Sequence, residues 1–230
     1  MYEELQDALD FHFHDEALLQ LALTHKSYVF ETSNEALNSN ERLEFLGDSI
    51  LACITADYLY RTFPELSEGD LSNIRSMLVK GETLAELARD LYLGDYLLMS
   101  KGERNNVKSQ RVLAATFEAV LGAMYLDQGL EAAQRFLLPH LKPMAYHIVK
   151  KRLFKDHKSR FQELAQAHTS ITPIYRLVSQ EGPSHNREFI VEAMLGDEVT
   201  GRGQGRNKQM AEQEAAFTAL RNRGWIDESE

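Results

Sequence analysis

Residues 40–49 read Asn40-Glu41-Arg42-Leu43-Glu44-Phe45-Leu46-Gly47-Asp48-Ser49. Glu41, Glu44 and Asp48 stand at i, i+3 and i+7, so a helix carries all three on one stripe. Leu43, Leu46, Ile50 and Leu51 fall on neighbouring stripes and read as buried. Two carboxylates about 6 Å apart repel by roughly 3 kcal/mol at an effective dielectric near 20. Acids beside a helix's own apolar stripe are best tolerated when a divalent cation sits between them. Oxygen-only ligands suit Mg²⁺ or Mn²⁺, and no Cys/His cluster points to zinc. The opposing reading is a solvated helix face, the commoner use of acids at this spacing, and spacing alone leaves both open.

A second acid, Glu118, lies in Ala114-Ala115-Thr116-Phe117-Glu118-Ala119-Val120-Leu121-Gly122-Ala123. The small residues around it suit a helix packed closely against another, from which Glu118 could close a metal site. Glu68, in Leu66-Ser67-Glu68-Gly69-Asp70, reads as a loop acid able to approach the same place.

Outward from these acids, residues 1–147 read as helical almost throughout, and an all-α domain is expected. Helices are expected over 17–23, 41–60, 70–80 with Asp70 as N-cap, 82–92 and 111–126. The second of these is apolar on nearly all faces from Leu46 to Leu59, as a central helix should be. The basic stretch 148–157 reads as a linker, and its first half reads equally well as a solvated helix end. From 158 to 225 the pattern changes: a helix over 159–168, then period-two alternation at Tyr175 and Leu177 and at Phe189, Val191 and Ala193. Turns are expected at Gly182-Pro183 and Gly196-Asp197, a third strand over 198–202 and a last helix over 207–221. This α-β-β-β-α order makes a small α+β domain, with a three-stranded antiparallel sheet backed by two helices.

The charge is divided unevenly. The chain has 230 residues, 43% of them hydrophobic, and a net charge of −10. Residues 1–150 hold 13 Lys and Arg against 23 Asp and Glu, while the remainder holds 12 of each. A polyanionic partner should avoid the first part unless cations intervene. The single cysteine, Cys53, excludes an internal disulfide. The start, Met1-Tyr2-Glu3-Glu4-Leu5, lacks a basic region followed by an apolar stretch, and no apolar run is long enough for a membrane span. A soluble cytoplasmic protein is the expectation.

The run at 40–49 resembles the signature of the ribonuclease III family, over its whole length and without gaps. Leu23-Thr24-His25-Lys26-Ser27-Tyr28, Glu68-Gly69-Asp70-Leu71-Ser72 and the stretch 114–126 resemble three further blocks of that family, in family order. The C-terminal part is similar to a double-stranded-RNA-binding domain. Lys158-Ser159-Arg160-Phe161-Gln162-Glu163-Leu164 resembles its first helix, residues 182–189 its minor-groove loop, and residues 203–212 the start of its second helix. The resemblance implies a homodimeric, Mg²⁺-dependent endonuclease, with Mn²⁺ able to substitute, that cuts double-stranded RNA and leaves 5′-phosphate and 3′-hydroxyl ends. Ribosomal RNA precursors and messenger RNA are the implied substrates. Glu44, Asp48 and Glu118 would be the metal ligands, Asp48 and Glu118 the catalytic pair, and Glu41 and Glu68 supporting acids or RNA-positioning groups. Phe45 falls where the family has a dimer-interface aromatic.

In the second domain, Gln162, Glu163 and His185 are polar groups able to read the 2′-hydroxyls of a shallow A-form minor groove. Arg206, Asn207 and Lys208, at the N-terminus of the last helix, can meet phosphates. Two positions depart from the family pattern. Ala115 stands where an oxygen ligand, usually Asp, is normal, and Gln209 stands where a second basic residue is usual. Lowered Mg²⁺ affinity and reduced cleavage are expected from the first. The rival readings are a protein that binds duplex RNA without cutting it, which Ala115 favours, and a structural ribosome-associated relative, which should have lost the acidic set.

Overall fold

In a computed structural model of the chain, residues 2–32, 38–107, 109–154, 156–181 and 187–226 are described. The chain divides into two units, Met1–Phe154 and Lys155–Glu230.

The first unit is helical: α1 (Glu3–Ala8), α2 (Glu16–Ala22), α3 (Lys26–Thr32), α4 (Glu41–Thr62), α5 (Glu68–Leu78), α6 (Gly81–Asp90) and α7 (Gln110–Lys150), with short 3-10 turns at Leu93–Tyr96 and Arg104–Asn106. Its core is one cluster in which Leu51, Ile54, Leu78, Leu84, Phe117 and Leu137 are fully or almost fully buried. The central pair is α4 and α7. A Cβ on Gly47 would collide with the Glu118 carbonyl oxygen, and one on Gly122 with the Leu43 carbonyl oxygen. The two helices therefore touch backbone to backbone, which only the missing side chains at 47 and 122 permit.

The start of α4 is fixed by Asn40, whose side chain does not cap its own helix. It is buried instead, donating from Nδ2 to the Ala22 carbonyl at 3.1 Å, while its backbone N–H donates to Thr24 at 2.9 Å. Inside α7, Gly129 takes φ 80° and ψ −176°, a conformation open to glycine alone, and breaks the helix into two segments.

Several expectations change here. The N-cap of α5 is Ser67, whose hydroxyl accepts from the Asp70 N–H at 3.2 Å, so Asp70 lies inside the first turn. Glu68 and Gly69 are likewise helical rather than in a loop. The helix α4 is not enclosed on all sides, because Phe45, Ser49 and Cys53 are exposed and Leu46 and Ile50 only half-buried. Of the stretch 148–157, the first part is the helix end that the sequence left open beside a linker, since α7 runs to Lys150. Ile148 is buried on α7, Phe154 is buried in the first core, and Asp156 caps the first helix of the next unit.

The second unit runs α8 (His157–Thr169), β1 (Ile174–Glu181), β2 (Glu188–Leu195), β3 (Glu198–Gly205) and α9 (Lys208–Asn222). The strands form an antiparallel sheet in the order β1-β2-β3. Val191 pairs with Gly203 and Ala193 with Gly201. Gly201 and Gly203 lie against the backbone of α9 at Ala211, Ala215 and Ala219, so small residues on both sides let the helix lie on the sheet. Phe161, fully buried, fills the space between α8 and this layer. The starts of α8 and α9 have side-chain caps: Asp156 accepts from the Ser159 N–H at 3.0 Å and Asn207 from the Met210 N–H at 2.8 Å. The expected turn at Gly182-Pro183 lies outside the described residues. Among the described residues, no helix is long and apolar enough to cross a membrane.

Candidate active site

The close approach of α4 and α7 brings the acids of two helices together. Glu118 is half-buried beside Gly47's turn of α4. Its carboxyl is pushed up to about 7, first by burial, then by the negative charges of Asp48 and Glu44. All three causes disfavour the carboxylate, so the three acids share one electrostatic neighbourhood.

Two adjoining hollows open beside Glu44 and Glu118, while Asp48 is exposed and lines neither. One is lined by Glu44, Gly81, Gln110, Arg111, Ala115 and Glu118, among others. The other, more polar, is lined by His25, Lys26, Glu41, Glu44, Glu103 and Ala115, among others. Ala115 thus stands between them, and its methyl offers no oxygen to either. Among the described residues, no three His, Cys, Asp or Glu side chains are grouped closely enough to hold an ion. The donor chemistry fits a hard divalent cation, but the carboxylates stand as an open set rather than a closed cage.

The other expected acids are placed differently. Glu41 is engaged: Lys26 Nζ donates to it at 3.0 Å and the Ser39 hydroxyl at 3.1 Å, and these bonds, led by Lys26, hold its carboxyl below the usual range. Glu68 accepts from the Ser72 hydroxyl at 2.9 Å and lines a separate, mainly apolar hollow with Asp57, Tyr60 and Arg75. Within one chain it does not join Glu44 and Glu118. His25 was not singled out in the sequence as a site residue. It is half-buried in the polar hollow, with Nδ1 2.8 Å from the Ser27 hydroxyl, and burial lowers its pKa. Its signal was the Leu23–Tyr28 block.

Phe45, one turn after Glu41 on α4, projects outward with 78% of its surface exposed. Phe45 itself forms part of a mainly apolar hollow whose leucines are Leu18, Leu21, Leu43, Leu46 and Leu126 and whose rim carries Glu41 and Arg42, among others.

In the second unit, Gln162 and Glu163 are exposed near the start of α8, and Arg206, Lys208 and Gln209 are exposed around the start of α9. Asn207 is also exposed, with its side-chain oxygen committed to capping. His185 lies outside the described residues. The two helix starts are tied together. Gln213 Nε2 donates to Asp156 at 2.9 Å, and Lys158 Nζ donates to Glu212 at 2.7 Å while lying over the Tyr175 ring.

Comparison with known proteins supplies the decisive observation. Residues 15–144 match the family described as Ribonuclease-III-like, and residues 157–223 match the double-stranded RNA binding motif. The chain belongs to the ribonuclease III family of double-strand-specific endoribonucleases. Ribonuclease 3 of a Nitratiruptor species is 42% identical over 221 residues, covering 95% of each chain. Ribonuclease 3 of a Roseiflexus species is 44% identical, covering 95% of this chain and 94% of its own length. A solved nuclease domain of ribonuclease III from Campylobacter jejuni is 39% identical with a TM-score of 0.57, covering 62% of this chain and 97% of its own. That structure is described as showing flexibility in a region involved in dimer formation. In family terms, the α4–α7 acids belong to the nuclease domain and the α8–α9 helix starts to the RNA-binding motif.

Proposed function

We propose that this chain is a homodimeric, cytoplasmic endonuclease that hydrolyses both strands of duplex RNA, ribosomal and messenger precursors among them, and leaves 5′-phosphate and 3′-hydroxyl ends. The observation that carries the site assignment is Glu118, half-buried and pushed up to about 7 by burial and by Asp48 and Glu44. Carboxylates held together at such a cost match a site built for a cation. Glu44, Asp48 and Glu118 would hold Mg²⁺, or Mn²⁺ in its place. The bound ion supplies positive charge against the phosphate and lowers the pKa of water for attack. Asp48 and Glu118 are the catalytic pair in this reading. Glu41 keeps Lys26 at the rim, and Glu68 positions RNA from its separate hollow.

The methyl of Ala115 removes one oxygen donor and one negative charge, so the metal affinity is low and cleavage is reduced. Phe45 of each protomer enters the leucine-lined hollow of its partner and joins the two nuclease domains. Gln162, Glu163 and His185 meet the minor groove, while Arg206, Asn207 and Lys208 meet phosphates at the dipole end of α9.

The test is cleavage of a defined RNA duplex by this chain and its Ala115→Asp variant, first with Mg²⁺ and then with Mn²⁺. Cleavage that rises with either ion and rises further with Asp supports the proposal. Tight duplex binding with no cleavage by either protein would establish the binding-only reading, which the open carboxylate set favours.

A further inference from the structure

Arg111 occupies the rim of the acidic site. It sits on α7 one turn before Ala115 and two turns before Glu118, so the three share a stripe. Its side chain is exposed and lines both hollows beside Ala115. Glu44, Glu103 and Glu118 line the same hollows, yet among the described residues Arg111 has no ion pair or side-chain hydrogen bond. The nearby Lys26 differs, because its ammonium is bound to Glu41 at 3.0 Å.

An RNA strand that enters this site meets mainly negative charge. A guanidinium not engaged by a carboxylate presents two parallel N–H donors, which fit two phosphate oxygens better than an ammonium does. With a methyl at 115, nothing on the next turn of the stripe competes for that guanidinium. We propose that Arg111 binds a backbone phosphate of the RNA strand lying in the acidic hollows. This rests on the reading that the hollows receive RNA, and it adds to the metal ions and the carboxylate-bound Lys26 a protein cation that no carboxylate engages. Arg111 therefore offsets, on the substrate side, part of the charge repulsion the acids impose.

The experiment uses the full chain with Arg111→Ala and Arg111→Lys, and a defined RNA duplex at fixed Mg²⁺. Affinity is read by fluorescence anisotropy at times short against cleavage, over a series of salt concentrations. Arg111→Ala should bind about tenfold more weakly and flatten the plot of log affinity against log salt by about 0.9. Arg111→Lys should keep the parent slope, since it keeps the charge. Mn²⁺ binding without RNA should tighten in Arg111→Ala, because a positive charge leaves the rim of the acidic group, an effect a purely structural role would not give. An Arg111→Ala slope equal to the parent's would overturn the proposal, whether or not the chain cleaves. Absence of cleavage even with Asp at 115, with the slope change present, would overturn the nuclease reading and leave the phosphate contact standing.

Discussion

Gly47 on α4 lies against the backbone carbonyl of Glu118 on α7, with no room between them for a side chain. This contact sets how near the acids of one helix come to the acid of the other. Gly47→Ala should force the helices apart. Overpacking of this kind costs about 1–3 kcal/mol, and the clash is with backbone, which cannot rotate aside. Thermal unfolding should show a clear loss of stability together with loss of cleavage. Gly102→Ala, where a Cβ meets open space, is the control and should leave both unchanged.

Glu118 makes stability depend on pH in the metal-free protein. Its carboxyl is raised from 4.5 to about 7 in the folded chain. Between those values the folded state holds more protons than the unfolded state, so stability falls as pH rises through that window. Below it the penalty is absent, and above it the penalty is complete. Glu118→Gln should remove it. Denaturant midpoints in chelator, for parent and variant from pH 4.5 to 8, should coincide at the acid end and separate in favour of Gln as pH rises. Parallel curves would contradict the assignment of the shift to Glu118.

Ala115→Asp restores an oxygen donor between the two hollows. It should raise Mg²⁺ affinity and increase the cleavage rate at limiting Mg²⁺. In chelator it should cost stability, because a further negative charge joins Glu44, Asp48 and Glu118. Equal rates and equal Mg²⁺ dependence in the two proteins would make position 115 dispensable.

Phe45→Ala should weaken self-association. An aromatic anchor that fills an apolar hollow is worth about 2 kcal/mol or more, roughly a thirtyfold change in the dimer constant. Sedimentation equilibrium should show the shift toward monomer, and the melting temperature should fall in step with the lost association and depend on protein concentration, while Phe45, exposed within one chain, adds little to the fold of the single protomer. An unchanged association constant would remove Phe45 from the interface.

Gln209→Lys adds a cation beside Lys208 at the exposed start of α9. The salt dependence of duplex binding should steepen by under about one unit of slope. Identical slopes would show that no phosphate reaches this position.

How far these features were legible follows from what each depends on. The i, i+3, i+7 acids and the small residues around Glu118 are periodic signals; they pointed to a helix packed closely against another but left a solvated acidic face open, and the contact of Gly47 with the Glu118 backbone is visible only in the structure. The α-β-β-β-α order was legible because the alternation at 189, 191 and 193 matches the inward face of β2, where Val191 and Ala193 are buried. Local competition misled the reading at α5. Ser67 and Asp70 are both good capping residues, and only the geometry shows Ser67 outside the helix with Asp70 in its first turn. The pairing of Glu41 with Lys26 spans 15 residues, and the Glu68 hollow is built from two helices. Neither leaves a mark on local spacing. Arg111 had a signal, one turn from Ala115, but its meaning depends on which carboxylates leave it unpaired.

Calorimetric titration of Mn²⁺ into the RNA-free protein, at pH 7 in two buffers of different ionisation enthalpy, tests most directly whether Glu44, Asp48 and Glu118 act together on one divalent ion. With the Glu118 carboxyl raised to about 7, the parent should bind Mn²⁺ with release of protons, while Glu118→Gln and Asp48→Asn should bind far more weakly, the former without proton release. Equal affinity and equal proton release in the parent and both variants would place the ion elsewhere and contradict the account.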